Sequence, residues 1–341
     1  MKNVKTKETR TDKPSWYKLA ESGELALRAQ AALDLATGCR LCPRRCGARR
    51  DRGEKGACGA SAADKAIIAR ALPHFGEEPP LVGQGGSGTI FFVGCSLRCI
   101  FCQNHQISQP SGNHLEIPGI RELDSVSLAG VFLDLQQAGC HNLNLVTATA
   151  HLPAVLSALD IAGSRGFNLG IVYNSGGYEI EQTLALLDSV VDIYLPDAKF
   201  GEPGSASRLT EGADYVSVNR RAIKEMFRQV GILKLDGQGL AKQGIIVRHL
   251  ILPGGLAGTE KVLEFLSGEI SPEIHISLMA QYYPAHRAGE FHELSRTITE
   301  SEYRLCLDLV EKYGFVNGWI QALESQSHYR PDFTEANPFN P

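Results

Sequence analysis

Three cysteines, Cys95, Cys99 and Cys102, leave a single apolar run in the stretch TIFFVGCSLRCIFCQNHQISQ, Thr89 to Gln109, at the spacing CxxxCxxC. A cubane iron–sulfur cluster has four irons, so three thiolates from one loop leave one iron without a protein ligand. An iron left open in this way can bind a substrate; a missing protein ligand is also what separates catalytic from closed structural metal sites. A disulfide framework does not suit the odd total of nine cysteines, nor a chain start, Met1 to Pro14, that is polar and lacks a secretory signal's apolar core. A reducing cytoplasm is therefore the expected compartment. A closed zinc site usually takes four N or S ligands in pairs, and the triplet has no obvious fourth.

The triplet, with the aromatic Phe101 directly before its last cysteine, resembles the signature of the radical S-adenosylmethionine (radical SAM) enzymes. That resemblance implies a 4Fe-4S cluster on Cys95, Cys99 and Cys102. The open iron would be chelated by the amino and carboxylate groups of S-adenosylmethionine, and reductive cleavage would give a 5'-deoxyadenosyl radical that takes a hydrogen atom from the substrate. The wider text CRLCPRRC, HFGEEPP, GSGTIFF, CIFCQNHQISQ, NLVTATAH, YNSGGYE, YLPDAKF and VRHLILPG is similar to the pyruvate formate-lyase activating enzyme-like subgroup, over roughly residues 36 to 330. Activating enzymes take hydrogen from a glycine of a partner enzyme. The resemblance thus implies a glycyl-radical enzyme or another protein substrate as partner, and an electron donor such as flavodoxin or ferredoxin. A radical SAM enzyme acting on a small molecule or other peptide, and a metal-binding electron carrier or scaffold without turnover, are the alternative functions. Where many family members hold the ligand's amino group with Gly-Gly-Glu, this chain has Thr147-Ala148-Thr149; the subgroup tends to a Thr-Pro-Thr-His version, from which Ala148 and Ala150 depart.

A second set, Cys39, Cys42, Cys46 and Cys58 with Pro43 beside the second cysteine, brings four thiols within twenty residues. Four ligands close a tetrahedral zinc site or a complete iron–sulfur cluster, and the spacing is consistent with either. Simple activating enzymes lack this quartet. The segment RLCPRRCGARRDRGEK around it is locally basic. It reads either as a solvated loop or as an electropositive shell that keeps thiolates ionised.

These residues must be positioned by the rest of the chain, which alternates strand and helix patterns after the cysteine loop. Helices are expected at Ser125 to Ala138, Pro153 to Ala162, Glu179 to Leu187, Asp214 to Val230, Thr259 to Leu266 and Glu300 to Tyr313. Strands are expected at Lys65 to Arg70, Gly88 to Val93, Asn142 to Val146, Leu169 to Tyr173, Asp192 to Leu195, Gly244 to Leu252, Glu273 to Ala280 and Trp319 to Leu323. Strands rich in Val, Ile and Leu without alternation are buried on both faces, as parallel strands are. Right-handed crossovers then gather their carboxyl ends on one rim. The fold class expected is α/β, a partial (β/α)6 TIM-type barrel with an N-terminal cysteine-rich extension. Its divisions are a flexible tail at 1–14, a helix (Trp16 to Ala36) and metal-binding extension at 15–75, the barrel at 76–330 and a C-terminal tail at 331–341.

Polar groups end nearly every strand: Thr147 and Thr149, Asn174 and Ser175, Asp197 and Lys199, Arg248 and His249, and Gln281. Lys199 or Arg248 suits the carboxylate of S-adenosylmethionine, and Asn174, Ser175 and the threonines suit its ribose and ammonium. Asp197 suits an offset of positive charge, and His249 belongs to the same rim. Glu77 and Glu78, which could serve as ligands or substrate contacts, read rather as surface carboxylates of a loop, Gly83 to Gly88 as a permissive turn, and Cys140 and Cys306 as buried small groups. A net charge of -4 with interspersed signs gives no basic field for nucleic acid. No apolar run approaches the roughly 20 residues of a membrane helix.

Overall fold

The apolar runs form strands because their residues have somewhere to be buried on both sides. In this computed structural model, which describes residues 13–110, 116–335 and 337–339, they are β1 (Ala66–His74), β2 (Ser87–Phe92), β3 (Arg121–Leu123), β4 (Asn142–Val146), β5 (Gly170–Ser175), β6 (Ile193–Pro196), β7 (Lys234–Leu235), β8 (Ala241–Leu250), β9 (His275–Met279) and β10 (Gly318–Ile320). The expected tail at 1–14 therefore lies almost wholly outside the described residues. One mixed sheet runs in the order β10-β9-β8-β6-β5-β4-β2-β1-β3, with β7 on the side of β8. From β2 to β10 that path is parallel and in chain order. β1, β3 and β7 are antiparallel additions.

The helices are α1 (Tyr17–Glu21), α2 (Glu24–Ala36), α3 (Pro79–Val82), α4 (His105–Ser108), α5 (Ser125–Gln137), α6 (Leu152–Ser164), α7 (Glu181–Leu187), α8 (Pro203–Leu209), α9 (Tyr215–Val230), α10 (Thr259–Phe265) and α11 (Glu300–Lys312). The single helix expected from Trp16 to Ala36 is two, because Gly23 takes φ 77° and turns the chain between α1 and α2. Trp16, fully buried, docks this pair onto the body by donating its indole N–H to the Leu169 carbonyl at 3.0 Å.

Alternate residues along each parallel strand go to opposite faces. Ile171, Tyr173, Tyr194, Ile245 and Val247 join the core beneath the helices. Val172, Ile193, Leu195 and Ile246 point the other way and pack with Leu81 of α3 and with Leu233. The inner face thus has an apolar floor, and its polar residues begin further along the strands, toward their carboxyl ends. The C-terminal tail is docked rather than free. Phe333 is fully buried against Phe91, and Arg70 donates to the Phe333 and Glu335 carbonyls at 2.9 and 2.6 Å. Among the described residues no helix is long and apolar enough to cross a membrane.

Candidate active site

The loop after β2 is held from several sides. The Gly94 N–H donates to Ile107 at 2.8 Å, Ile100 to Leu209 at 3.0 Å, Arg287 to Ile100 at 2.9 Å and Glu211 to Leu97 at 2.8 Å, all backbone to backbone. The Gln109 side chain donates to the Cys99 carbonyl at 2.8 Å. Leu97, Ile100 and Phe101 anchor it in a separate apolar cluster with Tyr178, Phe200, Tyr215 and Tyr282. The Phe101 ring stands 6.1 Å from Phe200 and 6.2 Å from Tyr282, both edge to face.

So anchored, the loop turns Cys95, Cys99, Phe101 and Cys102 into a cavity of about 850 Å³. Thr147, Asn174, Ser175, Asp197, Lys199, Arg248 and Gln281 line the same cavity, so the expected rim largely assembles. Two expected members do not reach it. Thr149 bonds Tyr173 at 2.9 Å and donates to Glu179 at 2.8 Å in a buried group behind the strands. His249 sits beside Arg248, and one step along a strand reverses the face. Its ring bonds the Ala198 carbonyl at 2.6 Å and Thr259 at 2.9 Å, and burial lowers its pKa to about 4.

Glu77 and Glu78 are the largest correction. They are not surface carboxylates but a buried clamp on Arg248. The guanidinium meets Glu78 at 2.7 and 2.6 Å in a two-pronged pair and also meets Glu77. Asn144 donates to the other Glu77 oxygen at 2.9 Å. Burial works against both charges. Even so, Arg248 holds Glu78 below the ordinary carboxylate range, and the two carboxylates hold Arg248 firmly charged. Two carboxylates ahead of a Pro-Pro start to a short helix, facing an arginine on an inner-face position, were the signal available in the sequence.

Lys199 is likewise paired, with Asp197. Burial is the largest influence and opposes its charge, but Asp197, Cys99 and Tyr215 together outweigh it, so the ammonium stays protonated. Tyr215 and Asn219 of α9 position this end of the sheet, and neither stands out in the sequence. The Tyr215 hydroxyl accepts from the Lys199 N–H at 2.9 Å and contacts the Gly176 and Asp197 carbonyls at 3.0 Å. Asn219 donates to Gly177 at 3.0 Å and Asp197 at 2.8 Å. A Cβ on Gly177, at φ 67°, would stand 2.2 Å from the Asn219 amide nitrogen. Gln103, Gln281 and Gln321 chain their amides across the opposite wall at 2.8 to 2.9 Å.

An uncharacterized protein of Methanocaldococcus jannaschii, MJ0674, is 30% identical to this chain over 297 residues, covering 85% of it and 79% of the archaeal protein. The chain belongs to the MJ0674 family. No family model matches. A radical SAM methyltransferase from Sphaerobacter thermophilus resembles the fold at TM-score 0.43 and 13% identity, over 68% of this chain and 65% of that structure. The chain thus spans less than two thirds of that structure, and the likeness bears no functional weight.

Among the described residues of this MJ0674-family chain, no three His, Cys, Asp or Glu side chains are arranged to hold a metal ion as they stand. The triplet nevertheless has the chemistry of a soft-metal site. Burial first of all pushes all three thiols up, the neighbouring thiolates push Cys95 and Cys99 further, and Lys199 alone of the nearby charges pulls all three the other way. A cation is what would let them ionise together. Backbone N–H groups already point at the sulfurs, Leu97 and Arg98 at Cys95 and Asn104 at Cys102, and the Ser108 hydroxyl lies 3.1 Å from the Cys102 sulfur. Such bonds favour thiolate and tune a bound cluster. The three-thiolate donor set on the cavity wall therefore fits an iron–sulfur cluster, which Cys95, Cys99 and Cys102 would hold.

Proposed function

We propose that this protein is a radical SAM enzyme, carrying a 4Fe-4S cluster on Cys95, Cys99 and Cys102 and S-adenosylmethionine in the adjoining cavity. The observation that carries this reading is the convergence of the CxxxCxxC thiols with Asn174, Ser175, Asp197, Lys199 and Arg248 around one cavity. When bound, the cluster and S-adenosylmethionine supply one-electron reductive cleavage to a 5'-deoxyadenosyl radical that removes a hydrogen atom.

The chain's own residues bind, orient and exclude water. Glu77, Glu78 and Asp197 balance Lys199, Arg248 and Arg330 around the cavity, so both signs are presented to a ligand that carries a carboxylate beside a sulfonium and an ammonium. Asn174 and Ser175 offer amide and hydroxyl groups for a ribose, and Thr147 stands where Gly-Gly-Glu would hold the amino group. Phe101 and its aromatic neighbours keep the cluster side apolar and dry. The same cavity touches residues of β1, β2, β4, β5, β8, β9 and β10 and Asp197 just after β6, as a sheet curled into a partial barrel would, and we read the fold so. We read residues 15–65 as the extension on that body, since β1, expected within it, pairs with β2 in the sheet.

Within this reading the subgroup is that of pyruvate formate-lyase activating enzyme-like proteins. The substrate is a protein, such as a glycyl-radical enzyme, and the electron donor a flavodoxin or ferredoxin in a reducing cytoplasm. The test is to reconstitute the chain with iron and sulfide without oxygen and add dithionite and S-adenosylmethionine. Release of 5'-deoxyadenosine is expected, and none from the Cys95→Ala, Cys99→Ala, Cys102→Ala variant. No release from the wild type would refute the assignment.

A further inference from the structure

Arg50 is 2% exposed, lies among the N-terminal cysteines and is no part of the cavity. Its guanidinium donates to the Ala62 carbonyl and to the Ala150 carbonyl at 2.6 Å, and one nitrogen stands 3.9 Å from the Cys39 sulfur. Its Nε is buried without a hydrogen-bond partner, and among the described residues no ion pair with a carboxylate is formed. An arginine is charged at every pH a folded protein sees, and a buried charge is normally paired. Two carbonyl dipoles do not supply an anion.

Burial pushes the Cys42 and Cys58 thiols up, so the surrounding sulfurs would supply it only when a metal binds them. A backbone N–H two residues onward points at each of three: Arg44 at Cys42, Ala48 at Cys46 and Ala60 at Cys58. Cys46 takes a second N–H, from Ala57, and is hydrogen-bonded to Cys39. The same two-residue offset serves Cys95 and Cys102 in the triplet. Gly56 lies beside two of the sulfurs: the position of an added Cβ lies 3.4 Å from the Cys46 sulfur and 3.7 Å from that of Cys58. Donors aimed at sulfur are what metal-bound thiolates require.

We propose that Cys39, Cys42, Cys46 and Cys58 bind a metal as four thiolates, and that Arg50 is the buried counter-ion of that anionic centre. Zinc and an iron–sulfur cluster share this ligand chemistry. The centre adjoins the other cysteine loop. The Cys58 carbonyl lies 2.4 Å from where a Cβ of Gly94, the residue before Cys95, would stand, and Arg44 pairs at 3.1 Å with Glu211, which holds Leu97.

The test uses the full chain with Cys95, Cys99 and Cys102 all changed to alanine, so that its outcome is independent of the proposed activity. Metal per chain is measured after purification with zinc and after anaerobic reconstitution with iron and sulfide. Retention of about one zinc or about four irons, lost on further Cys46→Ala substitution at the exposed member of the quartet, is expected in one arm and identifies the metal. In competition with a chromophoric chelator, Arg50→Met is expected to weaken retention about 10- to 100-fold, and Arg50→Lys to restore most of it. A triple variant that holds neither metal, or an Arg50→Met protein that holds it as tightly as wild type, would overturn the proposal.

Discussion

Glu179 shows how much one buried group can report. Burial lifts its carboxyl to about 8 from an ordinary 4.5, against hydrogen bonds from Thr149 and Ser175. One of its oxygens is buried without a partner. Because the folded state holds this proton more tightly, the stabilisation is complete below about pH 4.5 and is lost as pH rises toward 8. Glu179→Gln, which mimics the protonated form, is expected to gain about 4 to 5 kcal/mol on the wild type between pH 4 and pH 9, measured by urea denaturation. A difference independent of pH would contradict the buried, protonated state. Reading residue types at strand ends finds Arg248 but not its partners. It also counts His249, which period-two alternation would have turned away. Glu77 and Glu78 escape notice because their burial depends on α3 closing the inner floor, a contact between distant segments.

Among the elements, those with a strong internal period were legible. The parallel strands from β2 to β10 and the helices α5, α6, α9, α10 and α11 stand near their expected limits. The two-residue β7, the three-residue β3 and the four-residue α3 carry no period of their own and exist through their neighbours. The loop joining β2 to the triplet depends on Gly94 at φ 91°, where a side chain would meet the Cys58 carbonyl. Gly94→Ala therefore strains the backbone and pushes the two cysteine loops apart. The expected outcome is a loss of about 1 to 3 kcal/mol in stability together with reduced iron content after reconstitution. Unchanged iron content and melting temperature would show that the loops do not need this contact.

For the whole molecule, chain-order parallel pairing places the ends of many strands around one cavity, so residues as far apart as His74 and Gln321 share its wall. Strand order was legible because crossovers between parallel strands are right-handed and local. The docking of the C-terminal tail was not, since Phe333 and Phe339 meet Phe91 only in the folded chain. The measurement to make is anaerobic electron paramagnetic resonance of the dithionite-reduced, reconstituted protein, with Cys39, Cys42, Cys46 and Cys58 changed to alanine so that only the triplet can hold a cluster. A signal whose shape shifts when S-adenosylmethionine is added is expected, because the open iron gains a ligand. A spectrum untouched by S-adenosylmethionine would contradict a substrate-binding cluster at Cys95, Cys99 and Cys102.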